Sequence, residues 1–254
     1  MSENIRQILQ EENINYADIR SIPSSIIEAI NLIPDKEVKV LDVGCGIGSG
    51  KAVADKLKRN FKKYVGIEFN KNALEVAKKS ITDLIQADIE TFDIKQIDEK
   101  FDVIMFNDVL EHLVSPDKTL ENFLQLLNPD GCIIISVPNA RHQSFLLNLL
   151  LNGDFLDLGV AVKEHLRFFT LNEIIKLLNS FNLFIDGPIT GLSTSPMAEM
   201  RAIMKASRPW IRQDFRKALI ETEIIQYVFR ASFTPSNEIN IIQKPNLVLD
   251  LNNL

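Results

Sequence analysis

Aliphatic runs of strand length alternate along this chain with segments whose apolar residues recur every three to four positions. That alternation predicts an α/β architecture, a parallel sheet with helices on both faces. The strands fall at "VKVLDVG" (38–44), "KYVGIEF" (63–69), "DLIQAD" (83–88), "FDVIMFN" (101–107), "GCIIISVP" (131–138) and "NLFIDGP" (182–188). Their continuous aliphatic character suits strands covered on both sides. Between them, "GSGKAVADKLKRN" and "NKNALEVAKKS" carry helical spacing. "SPDKTLENFLQLLNPDG" opens with Ser115 as N-cap and Pro116 at the first helical position, and Asn128 to Gly131 supply its stop. "TLNEIIKLLNSF" sets Thr170 and Glu173 in capping-box register.

Two regions stand outside the alternation. Residues 1–34 read as one or two amphipathic helices ahead of a core unit at 35–190. Residues 139–164, "NARHQSFLLNLLLNGDFLDLGVAVKE", form an insertion of the length that lids and binding loops have. Its "FLLNLLL" would expose an apolar patch unless it packs, either on its own domain or as a roof over an acceptor. Residues 191–254 are expected to complete the same domain with a helix, a last strand near "YVFRASF" and a tail.

Composition narrows the classes. With 254 residues and 46% hydrophobic content, the chain can bury a large core without staples. Lys plus Arg number 28 against 34 Asp plus Glu, a net charge of −6, which argues against a surface built for nucleic acid. Cys45 and Cys132 are far apart, with no CxxC or Cys/His metal spacing, so reduced thiols are expected. The start "MSENIRQILQEEN" lacks an apolar signal region and no stretch approaches a membrane span, which predicts a cytoplasmic chain.

The chemistry starts at "VLDVGCGIGSGKA" (40–52). A nucleotide P-loop requires G-x-x-x-x-G-K-[ST]; here Cys45 occupies the first glycine position and Ala52 the hydroxyl position. The dinucleotide fingerprint fits Gly44 and Gly46 but meets Ser49 at its third glycine. The third option is an S-adenosylmethionine loop, and "VLDVGCGIG" resembles motif I of the class I methyltransferases. The resemblance implies a Rossmann-like fold, a mostly parallel seven-stranded sheet with helices on both faces. It also implies S-adenosyl-L-methionine as cofactor, with contacts from Asp42, Gly44, Cys45, Gly46 and Gly48. Glu68, followed by Phe69, stands where the family places the acid that accepts from both ribose hydroxyls. Asp88 and Ile89 match its adenine-binding pair, and Asn107 and Asp108 end the strand nearest the reacting methyl.

Across 38–181, "FDVIMFNDVLEHL", "SVPNARH" and "EHLRFFT" are similar to a bacterial methyltransferase subfamily associated with polysaccharide and surface-glycan biosynthesis. Asp108, Glu111 and His112 lie at i, i+3 and i+4, so a helical turn would bring them to one face. The spacing resembles the magnesium site of ubiquinone-pathway O-methyltransferases and of small-RNA 2′-O-methyltransferases, with His165 as second histidine. Asp108 is one methylene shorter than the glutamate those enzymes carry. Glu111, His112 and His165 are thus candidates for catalysis, and with Asp108 for binding Mg2+ or another divalent cation. The plainer reading is that Glu111 and His112 brace the loop, that His165 pairs with Arg167, and that Phe168 and Phe169 are core.

A stripe of Arg201, Lys205, Arg208, Arg212 and Arg216 is either a solvated face or a binder of acceptor phosphate. The reading that results is O-methylation of a hydroxyl on a saccharide or related small molecule. The alternatives are an RNA-end 2′-O-methyltransferase and a cofactor-binding regulatory protein without turnover.

Overall fold

The aliphatic runs do assemble into a sheet, in a computed structural model that describes residues 21–155, 160–206, 218–235, 240–246 and 248–250. Its strands are β1 (Ser21–Pro23), β2 (Lys39–Val43), β3 (Lys63–Glu68), β4 (Asp83–Gln86), β5 (Phe101–Asn107), β6 (Leu127–Pro138), β7 (Phe184–Ile185), β8 (Ile189–Ser193), β9 (Ile224–Ser232), β10 (Ile241–Pro245) and β11 (Val248–Asp250). Its helices are α1 (Ser24–Leu32), α2 (Ser49–Lys56), α3 (Lys71–Ala77), α4 (Pro116–Leu124), α5 (Gln143–Asn152), α6 (Leu171–Asn179) and α7 (Ala198–Ala206).

The main sheet runs β10-β8-β9-β6-β5-β2-β3-β4, with β7 also paired to β9, so it has nine strands where seven were expected. From β4 to β6 every pairing is parallel, and β9 enters antiparallel to β6. The surplus has a local cause. Of the strand expected at 182–188 only β7 forms; beyond Gly187, whose φ is +114°, β8 follows as a further strand, and both pair with β9. β10 then extends the edge beside β8.

Strand alternation sorts the core into two layers. Val40, Val103, Met105 and Ile134 pack with Ala29 and Ile30 of α1 and Val53 and Ala54 of α2. Leu41, Ile104, Phe106, Ile133 and Ile135 pack with Leu120 and Phe123 of α4 and Ile174 and Leu178 of α6. The uninterrupted apolar sequence is therefore the signature of two covered faces. Phe123 is central, with its ring 6.3 Å from that of Phe92 and 6.0 Å from that of Phe106.

Helix ends follow the sequence in part. Thr170 and Glu173 form the expected capping box. Ser115 holds the N-cap position of α4, but its hydroxyl makes no capping bond. That helix stops at Leu124 rather than at 128–131, because Leu127–Asp130 already belong to β6. Of the expected N-terminal helical segment, residues 1–20 lie outside the described residues. The remainder is β1, which pairs antiparallel with β11, followed by α1. Within the insertion, Phe145 and Leu147 of α5 are buried, Leu147 beside Met200 and Leu219. Leu150 and Leu151 are 72% and 63% exposed, so the leucine run packs on one side only. Among the described residues no helix is long and apolar enough to cross a membrane.

Replacing Phe123 with alanine empties a site with no exposed surface at the meeting of three rings. Urea denaturation is expected to show a loss of about 3–5 kcal/mol with an unchanged slope.

Candidate active site

The glycine loop, Glu68, Asp88, Asn107 and Asp108 lie at or just after the carboxyl ends of parallel strands, where an open α/β sheet leaves a crevice. After β2 the chain turns through Gly44, Gly46 and Gly48 with φ of +75°, +54° and +81°. A side chain at Gly44 would also run into Val109, 2.7 Å from its Cβ. At Gly46 a Cβ would meet nothing within 4 Å, because that side of the backbone is open. The amides of Gly44 and Cys45 donate to Ile67 O at 2.8 and 3.0 Å, which ties the loop to β3.

Glu68 ends β3 and completes the tie. Its Oε2 accepts from Gly46 N at 3.0 Å and its Oε1 from Asn70 N at 2.8 Å. Burial raises its pKa, and the amides of Asn70 and Gly46 work against that rise. Each oxygen keeps a further lone pair, so the carboxylate can still accept from a ligand. Gly44, Glu68, Phe69, Ala87, Asp88, Ile89, Asp108, Val109, His112 and Leu113 line one cleft of about 140 Å³. A second, of about 270 Å³, meets it at Gly44 and is lined by Asp42, Cys45, Gly46 and Asn107, with Ile26 of α1 on its wall.

In the second cleft, Asp42 accepts from the Tyr64 hydroxyl at 2.6 Å, and burial pushes its pKa up to about 6. Asn107 Oδ1 is buried without a hydrogen-bond partner, which leaves an acceptor for a ligand's donor. Cys45 faces Gly66 instead, and burial beside Asp42 and Glu68 pushes its thiol pKa well up, so it serves the loop through its backbone. Lys51, the residue that suggested phosphate, pairs with Asp55 at 2.5 Å.

The DVLEH stretch is one 3₁₀ turn, Leu110–His112, rather than a longer helix, so Asp108 stays at the strand end. The carbonyl of Glu111 accepts from Leu166 N at 2.7 Å and Arg167 N at 2.9 Å, which fastens the HLRFFT box to the turn. His112 and His165 come together with ring centroids 4.8 Å apart. His112 Nδ1 lies 3.1 Å from Glu164 O and His165 Nδ1 2.7 Å from Val160 O. A carbonyl only accepts, so each Nδ1 donates the proton of that bond and the two Nε2 atoms stay outside it. One ligand atom from each of Glu111, His112 and His165 lies within 4.8 Å of the others. Burial, then His165, pushes the pKa of His112 down to about 4, so its ring is neutral at neutral pH. Both carboxylate oxygens of Glu111 are buried without partners, and burial together with Asp108 raises its pKa well above the usual value.

Asp108 is not one of that trio. Its Oδ1 accepts from the Ser136 hydroxyl at 2.7 Å and from the Gln226 amide. Arg167 donates to the Val114 carbonyl, so the expected pairing with His165 is replaced by a backbone bond. Phe169 is core, while Phe168 stacks on Phe145 with the planes 11° apart and meets Phe155 edge-on. His142, unassigned by sequence, caps α5 and bonds Ser144 and Thr194, a structural role. Arg201 and Lys205 are exposed on α7; Arg208, Arg212 and Arg216 lie outside the described residues. Sequence reasoning missed Ile26 and Gln226 and passed over Ser136. A polar residue breaking an apolar run, as in "CIIISVP" and "IIQYVF", was the signal for Ser136 and Gln226.

The family model described as "Methyltransferase domain" matches residues 16–186. The chain belongs to that family. A ubiquinone biosynthesis O-methyltransferase of Vibrio vulnificus (strain YJ016) is 27% identical over 168 residues, 63% of this chain and 69% of the relative. Among solved structures, an S-adenosylmethionine-dependent methyltransferase of Thermotoga maritima has a TM-score of 0.54 at 15% identity, covering 83% of this chain and 88% of that one. Magnesium protoporphyrin IX methyltransferase of Synechocystis PCC 6803 also gives 0.54, at 13% identity and 83% and 81% coverage. The fold is the Rossmann-like fold of class I methyltransferases, and the chain is a class I S-adenosylmethionine-dependent methyltransferase.

Replacing Glu68 with alanine removes the acceptor of the Gly46 and Asn70 amides together with its lone pairs on the cleft. Calorimetry is expected to show S-adenosylhomocysteine binding weakened by about 10- to 100-fold. Affinity equal to the wild type would remove Glu68 from the cofactor site.

Proposed function

We propose that this methyltransferase acts on oxygen, transferring the methyl group of S-adenosylmethionine to one hydroxyl of a small molecule that carries a second hydroxyl beside it. A saccharide diol is the leading acceptor class. A dihydroxy aromatic ring is the second, favoured by the ubiquinone biosynthesis O-methyltransferase relatives. The observation that carries the reading is the trio Glu111, His112 and His165, which meets the cofactor cleft through His112.

The residues of the cleft suit the cofactor. Glu68 offers free lone pairs to a vicinal diol such as a ribose, Asp88 and Ile89 line the far end, and Asn107 Oδ1 holds an unused acceptor. When bound, the cofactor supplies an electrophilic methyl on a positively charged sulfur. The protein's part is to align an oxygen with that methyl and to manage the oxygen's proton. The Nε2 of His112 or of His165 is the atom placed to take the proton, since each ring is held through its Nδ1 to a backbone carbonyl.

The same trio fits a divalent cation. Two imidazole lone pairs and a carboxylate without partners form a two-histidine, one-carboxylate set, and the backbone bonds at Nδ1 fix ring orientation as outer partners of metal-binding histidines do. Bound there, a cation supplies Lewis acidity that favours the alkoxide over the hydroxyl. Glu111 would ionise on binding, because the charge that burial disfavours gains a partner.

A panel of saccharide diols and dihydroxy aromatics, assayed with and without chelator, tests acceptor and metal together. Turnover on one class is expected, falling about 100-fold or more with chelator and returning with Mg2+ or Mn2+. His165→Ala is expected to lose that metal dependence along with activity. Methylation confined to amines would overturn the oxygen reading, and chelator-insensitive turnover would leave proton removal to the histidines.

A further inference from the structure

Asp108 has a φ of +54°, a conformation that side chains other than glycine's rarely adopt and that its surroundings must hold. Its own N–H donates to Ser136 O at 3.2 Å and to Ser136 Oγ at 3.0 Å. Its Oδ1 accepts from the Ser136 hydroxyl at 2.7 Å and from the Gln226 amide. Two donors thus converge on one carboxylate from β6 and β9, both of them neutral.

The charged and titratable groups facing Asp108 are His165 and Glu111. Among the described residues no lysine or arginine forms an ion pair with it. A carboxylate this enclosed requires compensation for its charge, and two neutral side-chain donors supply only part of it. Asp108 also lines the cleft that holds Gly44, Glu68 and Asp88, so a cationic partner can come from a ligand in that cleft.

S-adenosylmethionine and its product S-adenosylhomocysteine differ by one methyl group, and therefore by the single positive charge of the sulfonium. We propose that Asp108, held in place by Gln226 and Ser136, is the counter-charge for that sulfonium, so that the cleft discriminates between the charged donor and its neutral product. The proposal rests on the assignment of S-adenosylmethionine to this cleft. Transfer of the methyl to the acceptor leaves the sulfur with both electrons of the broken bond and no charge, so the attraction disappears as product forms. A carboxylate that stabilises the sulfonium before transfer does not lower the barrier to it. Its effect falls on the choice of ligand and on release of the product. Gln226 is the positioning residue, and it lies beyond the 16–186 family match, on a strand that runs against the others.

Calorimetry with S-adenosylmethionine, S-adenosylhomocysteine and sinefungin, which carries a protonatable amine in place of the sulfonium, tests this without turnover. In Asp108→Asn the affinities for S-adenosylmethionine and sinefungin are expected to fall about tenfold, the scale of one partly buried charge interaction, while that for S-adenosylhomocysteine changes by less than about threefold. Asparagine enters positive φ readily, so the variant should fold, and its circular dichroism checks that. Gln226→Leu should shift the same ratio in the same direction by a smaller factor. Equal weakening of charged and neutral ligands, or no change in any, would overturn the proposal and leave the network a structural brace. A wild-type protein that binds none of the three overturns the cofactor assignment itself.

Discussion

The parallel strands β2 to β6 are covered on both faces, and the rest of the molecule follows from that constraint. Polar side chains within these strands must find partners on the spot, as Asp42 does in the Tyr64 hydroxyl, or reach the strand ends. The carboxyl end is where they collect, because the loop after β2 turns there through three left-handed glycines. Glu68 converts that geometry into a rigid cradle by accepting one amide from the glycine loop and one from its own.

The second constraint is electrostatic. Glu111 and Asp108 are carboxylates enclosed in the same region, each raised by burial, with Asp108 raising Glu111 further. They are handled differently. Asp108 receives neutral donors from Ser136 and Gln226, whereas Glu111 keeps two unpartnered oxygens beside the two imidazole rings. One arrangement holds a charge still; the other leaves ligand capacity open. Both sit within five residues after β5, and the turn there also places His112 in the wall of the cleft.

Much of this was legible in the sequence because it is local. Gly44, Glu68, Asp88 and Ile89 were singled out by a motif resemblance carried on short stretches after aliphatic runs, and the structure brings them to one cleft. The capping box at Thr170 and Glu173 was equally readable, since both bonds lie within one turn. Asp108 was expected to join Glu111 and His112 on a helical face. The left-handed φ at Asp108 and the single 3₁₀ turn after it separate them instead, and nothing in "NDVLEH" announces either. The leucine run of α5 was expected to pack, and does so on one side only.

What the sequence by itself determined is the sheet of aliphatic strands, the loop chemistry at their ends and the identity of the two histidines. Those features depend on periodicity and on residue types a few positions apart. Tertiary structure alone decided the pairing of Gln226 with Asp108 across 118 positions, the approach of His165 to His112 across the intervening chain, and the pairing of both β7 and β8 with β9. Each depends on which strand lies beside which, and β9 enters the sheet antiparallel next to β6. Strand order is set by packing summed over the whole sheet, so no short window of sequence contains it.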